Sequence, residues 1–348
     1  MLTVAAVLFF AGAWVMTRAD QGLPVGDQGT TARVIIVQDP GATDAYRPVP
    51  DQIDSMVTRG IINLTGLATT DAAWRSLAST QDVIGIKVYS VPGPNTGTHV
   101  AVVDSIIRQL IAAGWPAKNI VVWDKHRLDL RASGFLDLNK RYGVQVSGSA
   151  EVGYDDKVYY EQPVIGNLVW GDHEFGRKGE NIGRNSYFSK LLTQRITKII
   201  NVTPLMNHNQ VGVTGNLYGL ALGSVDNTGR FEGNVDRLEK AVPEIFARPQ
   251  LSDRVILNVV DALICQYEGD GVVSLLHHST TLNQLRFSRD PVALDVLSIQ
   301  ELQNQRQMAQ APTVATNMDL YTYYSSDLLQ LGVGDLKRIR VETVKAEP

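Results

Sequence analysis

In VIGIKVYSVPGPNTGTHVAVVDSIIRQLIAAGWPAKNIVVWD, residues 83–124, the spacing of the apolar side chains changes twice. Residues 83–90 are an apolar run broken by Gly85 and Lys87, of the length and composition of a strand buried on both faces. A turn-rich loop, PGPNTGTH, follows. Val102, Val103, Ile106, Ile107, Leu110 and Ile111 then fall on one helical face, and Gly114 suits the position just past the helix, where a positive φ is needed. Residues 119–124 are apolar again. Strand, helix and strand in some forty residues make a βαβ unit, whose strands must run parallel with a right-handed crossover.

Outward from this unit the same grammar repeats. ARVIIVQD (32–39), KIINVTP (198–204) and RVILNVVD (254–261) read as strands, and RIRVETV (338–344) as an edge strand. PDQIDSMVTRGIINLTG (50–66) has helical spacing. DPVALDVLSIQELQNQR (290–306) is a helix with Asp290 as N-cap and Pro291 at its first position. The expected fold class is α/β: a mostly parallel sheet with helices on both faces, with two lobes and a cleft between the βαβ unit and region 198–261 as the expected site. Residues 32–348 form the domain, and the less regular segment 146–190 is expected to be an insertion or lid.

The chain has 348 residues, 44% hydrophobic and 20% charged, with a net charge of −4. This is a globular composition, and without a basic run it argues against nucleic acid as a partner. The single cysteine, Cys265, lies in an apolar run and reads as an inert buried thiol. Residues 2–16 are uncharged and apolar, short for a spanning helix but suited to the core of an export signal. The expectation is a protein exported to the periplasm or cell envelope, with residues 1–19 as signal peptide or membrane anchor and 20–31 as a linker. Membrane contact would be through residues 2–16 if they are retained.

In an open parallel sheet, ligands sit beyond the carboxyl ends of the strands. Four predicted strands bring His99, Asp124, Asn207, His208, and then Asp261 with the segment 268–271, to that edge. The glycine- and amide-rich run 207–231 follows one of them and could cradle a ligand, because glycine allows close backbone approach. His208 and Asp124 are the candidate acid/base groups or ligands of a divalent metal, with His99 assisting. Lys87, Asn207, Asn209, Thr214 and Asn216 are the candidate ligand-orienting groups. Lys87 interrupts an apolar strand and therefore needs either a carboxylate partner or a route past the strand end. The adjacent His277 and His278 would point to opposite faces of an extended strand, so a shared metal is not expected there. There is no HExxH, GxSxG, Walker loop or GxGxxG.

The segments IGIKVYS with its downstream GTH, AAGWPAKNIVVWD, KIINVTPLMNHNQVGVTGNLYGLALGSVDN, VVDAL and FSRDPVALD occur in that order. Together they resemble the bacterial and archaeal family catalogued as domain of unknown function 362, over roughly residues 80–300. The resemblance implies export, and implies that Lys87, His99, Asp124, His208, Asp290 and Asp295 occupy family positions. Some members carry iron–sulfur segments, which one cysteine cannot supply. Met206 and Tyr218-Gly219 stand where many members have lysine and Lys-Asn, which puts an anionic ligand in doubt. Two functions follow. One is a small-ligand-binding protein or hydrolase- or transferase-like enzyme. The other is a non-catalytic envelope protein, bound to other envelope proteins, that keeps the fold without the site.

Overall fold

The computed structural model describes residues 31–162, 183–314 and 316–346. The expected export segment, the expected linker up to residue 30 and residues 163–182 of the expected lid lie outside these. Among the described residues no helix is long and apolar enough to cross a membrane.

The centre is a nine-stranded sheet. Its eight main strands are β1 (Ala32–Gln38), β2 (Ile84–Val88), β3 (Ile120–Asp124), β4 (Gln145–Gly148), β5 (Lys198–His208), β6 (Val255–Gln266), β7 (Ser279–Ser288) and β8 (Ile339–Lys345). They lie in the order β8-β1-β7-β6-β5-β2-β3-β4, and the short strand Gly212–Val213 folds back on the end of β5. Of the eight, only β7 runs against the others. The βαβ reading holds: β2 and β3 are hydrogen-bonded parallel neighbours, joined through helix α1 (Val100–Ala112). Because β2 pairs directly with β5, the βαβ unit and the 198–266 region are one sheet. The expected cleft between them is therefore replaced by backbone hydrogen bonds.

Alternation along the strands divides the interior into two cores. Ile84, Ile86 and Val88 of β2, Ile120 and Val122 of β3, and Ile200 and Val202 of β5 pack with Val102, Val103, Ile106, Ile107 and Leu110 of α1. The opposite face packs against α2 (Asn216–Ser224), α3 (Val235–Phe246) and α4 (Pro291–Met308). Lys87 belongs to this second face by its register, opposite Ile86 and Val88. Asp290 caps α4, its Oδ1 accepting from the Ala293 amide at 2.9 Å, with Pro291 next, as its sequence requires.

Three elements depart from the sequence expectation. β5 does not stop near Pro204 but continues to His208, so His208 is strand rather than loop. Within the glycine-rich run 207–231, residues 216–224 are the helix α2. Segment 146–190 begins with residues of β4, and its Tyr154–Glu161 and Asn185–Ser189 portions pair as an antiparallel ribbon. The Tyr187 amide of that ribbon donates to Asp226 Oδ1 at 2.6 Å, which fixes it beside the end of α2.

Candidate functional site

All seven strands that share one direction deliver their carboxyl ends to one edge. The nominated residues are there, but most of them are occupied with one another. Lys87 Nζ donates to Asp124 Oδ1 at 2.7 Å and to the Val88 carbonyl at 2.6 Å, with the Trp123 ring centroid 5.5 Å away. Asp124 also accepts from the Lys125 amide on Oδ1, and from the Ser90 amide and hydroxyl on Oδ2, each at 2.7–2.8 Å. Lysine and aspartate are 1% and 3% exposed. The lysine thus has the carboxylate partner that its sequence position demanded. Asp124, holding four donors, is a clasp between β2 and β3. Ser90, whose signal in the sequence was only its place after an apolar strand, supplies half of that clasp.

His99 forms a second closed pair. Its Nδ1 and its backbone N–H both lie 2.8 Å from Asp261 Oδ2. It stands at the N-cap of α1. The Thr98 hydroxyl donates to the Val202 carbonyl and accepts from the Tyr89 amide. Asp261 sits at a break in register between β5 and β6, where Asp261 opposes Pro204 but Cys265 opposes Leu205. The bulge turns the carboxylate toward α1. Burial opposes the charged imidazole, but the Asp261 carboxylate and the Asn95 backbone outweigh it and raise its pKa. Its Nε2 is buried without a partner in hydrogen-bonding geometry.

The glycines of 207–231 have a packing purpose. Gly215, Gly219 and Gly223 recur every fourth residue and so share one face of α2. A Cβ on Gly215 would meet Asp295 Oδ1 at 2.6 Å, one on Gly219 would meet Tyr89 Cδ2 at 3.4 Å, and one on Gly223 would meet Lys87 Cε at 2.4 Å. The helix can lie on the sheet, over a buried lysine and a tyrosine, because these three positions are bare. Asp295 accepts from the Asn216 and Leu217 amides and from the Asn216 side chain, so it caps α2 from α4. Burial lifts its pKa to about 7 against those three donors. Asn216 is bonded in turn to Asn201, which reaches Asn258. Asn207 is likewise committed, donating to Asn209 Oδ1 and the Gly269 carbonyl and accepting from Arg306. The Thr214 hydroxyl donates to the Met206 carbonyl at 3.4 Å. Lys87, Asn207, Thr214 and Asn216 are therefore all engaged in hydrogen bonds within the fold.

His208 is different. Its Nδ1 accepts from the backbone N–H groups of Gln210 and Val211, at 3.3 and 3.4 Å. That places the proton of the neutral ring on Nε2. Among the described residues Nε2 makes no hydrogen bond. The ring lies against Tyr218, with centroids 4.4 Å apart and planes tilted by 49°, and is 8% exposed, more buried than its position beyond a short strand implied. Burial depresses its pKa to about 4, with Asp270 pulling the other way. The loop carrying Gly271 crosses it: a Cβ there would lie 3.1 Å from His208 Cδ2, 2.7 Å from Thr214 Cγ2 and 3.6 Å from the Tyr89 hydroxyl. Burial raises the pKa of Tyr89 and of Tyr218, and the charges of Asp270 and Glu232 add to it in both. His208, Tyr89 and Tyr218 thus share one small neighbourhood with two exposed carboxylates. Both tyrosines escaped the sequence reading, Tyr218 because it registered only as a missing lysine.

The structure does not assemble a metal centre from these residues. Among the described residues no three His, Cys, Asp or Glu side chains are grouped so as to hold an ion. His277 and His278 lie in a 3₁₀ turn rather than a strand, so their rings face each other, 4.0 Å apart, instead of diverging. Cys265 is buried, which pushes its thiol up to about 12.

No curated protein matches the chain. Among solved structures it is similar to a crystal structure of a Thermotoga maritima protein from a structural genomics consortium, with 11% identity and a TM-score of 0.39. That alignment covers 77% of this chain and 61% of the other, so this chain spans less than two thirds of that protein. A family model described as domain of unknown function (DUF362) matches residues 84–300, the region from β2 through most of α4, and the chain belongs to that family.

Proposed function

We propose that the protein binds a small ligand at the carboxyl edge of its sheet, through the His208 Nε2–H and the hydroxyls of Tyr218 and Tyr89. The observation that carries this is His208 itself: a nearly buried neutral imidazole, oriented by two backbone donors, whose remaining N–H is unsatisfied by the described residues. His208 is 8% exposed and its Nε2 keeps contact with solvent, so an acceptor on a ligand can take the place of water there. The carboxylates of Asp270 and Glu232 beside it, and the commitment of Lys87 to Asp124 and Arg306 to Asn207, select the ligand. They favour an amine- or hydroxyl-bearing molecule over an anion. The group is built for hydrogen bonding rather than proton transfer, since the Nδ1 lone pair is already taken and the ring is neutral at pH 7. Export by residues 2–16 would place this binding in the periplasm or envelope, a reading supported by the sequence alone.

The test is a thermal-shift screen of purified protein with putrescine, glucose and citrate. Stabilisation by the amine or the sugar but not by citrate, lost in His208→Ala, is the expected result. A second reading, a structural envelope protein, draws on the self-satisfied state of Lys87, Asp124, Asn207 and Asn216. It predicts no shift with any of the three, and that outcome would replace the binding reading.

A further inference from the structure

A cavity of about 960 Å³ opens at the opposite, amino edge of the sheet. Its wall is made where α5 (Pro50–Thr65) ends, β1 begins, β7 ends and β8 approaches. None of the residues nominated at the carboxyl edge contributes to it. The volume is in the range of cavities that take small organic molecules.

The chemistry of the wall is uneven in a way that selects a ligand. Leu64, Leu67, Leu331 and Val333 supply apolar surface. Three guanidinium groups border the same space: Arg33, Arg289 and Arg338. Arg33 is held by a two-pronged bond to Glu342, at 2.9 and 2.8 Å, and by the Leu64 carbonyl. Arg338 has a partner of its own. The Arg289 side chain has none among the described residues, and it is exposed beside the cavity. Of the two carboxylates on the wall, Asp290 is consumed by the amides of Ala293 and Val333, at 2.9 and 2.8 Å. Asp327 is exposed. It lies in the unusual π-helix Leu320–Leu328 that closes one side, a geometry found often where a helix lines a functional site. A free guanidinium beside an apolar cavity matches the planar fork of a carboxylate attached to a hydrocarbon body.

We infer that this cavity is a binding site for a small carboxylate with an apolar chain, its carboxylate paired with Arg289 and its chain lying on Leu64, Leu67, Leu331 and Val333. The site is separate from that of His208 and involves no covalent step.

Octanoate is the probe, with 1-octanol and octylamine as controls of equal length, titrated calorimetrically into the full chain. Octanoate is expected to bind best. Arg289→Ala should weaken it by about tenfold, as loss of one charge-assisted pair does, while Arg289→Lys recovers part of the loss. His208→Ala should leave octanoate binding unchanged, so that failure of the carboxyl-edge reading and failure of this one are told apart. Arg289 is exposed, so its variants should fold; circular dichroism checks that. Leu331→Trp, which places an indole on the apolar wall where the chain of the ligand would lie, should weaken binding by a second route. No binding of octanoate, equal binding of octanol or octylamine, or an unchanged affinity in both Arg289→Ala and Leu331→Trp would each overturn the assignment.

Discussion

Lys87 and Asp124 meet at 2.7 Å on adjacent parallel strands, both out of reach of water. Removing one of them strands the other as a buried charge. Lys87→Met and Asp124→Ala should each cost about 3–5 kcal/mol. The double variant should cost less than the sum, by about 1–3 kcal/mol. Urea denaturation of the four proteins measures this. Additive losses would mean that the pair contributes no coupling and that Asp124 depends on Ser90 and Lys125 alone.

Gly223 faces the same lysine. Gly223→Ala drives a methyl to within 2.4 Å of Lys87 Cε, whereas Gly219→Ala meets nothing nearer than the Thr214 carbonyl at 3.2 Å. The first should destabilise by about 1–3 kcal/mol, and the second by less. The ranking of the two melting temperatures checks it, since equal effects would remove the argument that the glycine spacing serves the lysine.

The two buried histidines should bend the pH dependence of stability in opposite directions. The pKa of His99 is raised by Asp261 in the folded state. Its contribution is therefore complete below the unfolded value near 6.5 and is lost as pH rises through the higher folded value. The pKa of His208 falls to about 4. The unfolded chain takes up a proton there that the folded chain refuses, so stability drops as pH falls from about 6.5 to about 4, by up to about 3 kcal/mol. Urea midpoints between pH 4 and 9 should form a dome. His99→Gln should flatten its alkaline side and His208→Gln its acid side; a side that stays curved in its own variant refutes that assignment.

His208→Ala should itself cost about 1–3 kcal/mol, because it leaves the Gln210 and Val211 amides without their acceptor and removes the ring contact with Tyr218. Guanidinium denaturation measures it. A loss below about 0.5 kcal/mol would show that the ring is not anchored as described.

Residues 83–124 announced their βαβ unit because period and length agree there with the structure to within one or two residues at each element end. The capping of α4 was equally plain, because Asp290 and Pro291 are a local signal. What stayed hidden depended on partners far away in sequence. Glycines 215, 219 and 223 are spaced for a helix, yet three glycines argue against one by propensity, and the side chains that justify them come from β2 and α4. The continuation of β5 past Pro204 rests on pairing with β6 beyond a bulge, which no window around residue 204 contains. The candidate site suffered likewise. Charged and amide residues gathered at the right edge, but which of them neutralise one another is a matter of pairs 37 and 162 residues apart.

The reversed strand β7 has a consequence for the order in which the chain can fold as it is made. β1 leaves the ribosome among the first described residues, yet its neighbours β7 and β8 come from the last quarter of the chain. The parallel block from β2 to β6 can assemble while β1 waits, its apolar Val34, Ile35 and Val37 without a sheet to join. Synthesis thus leaves a long interval in which β1 is accessible to a chaperone. Only the arrival of β7 withdraws it.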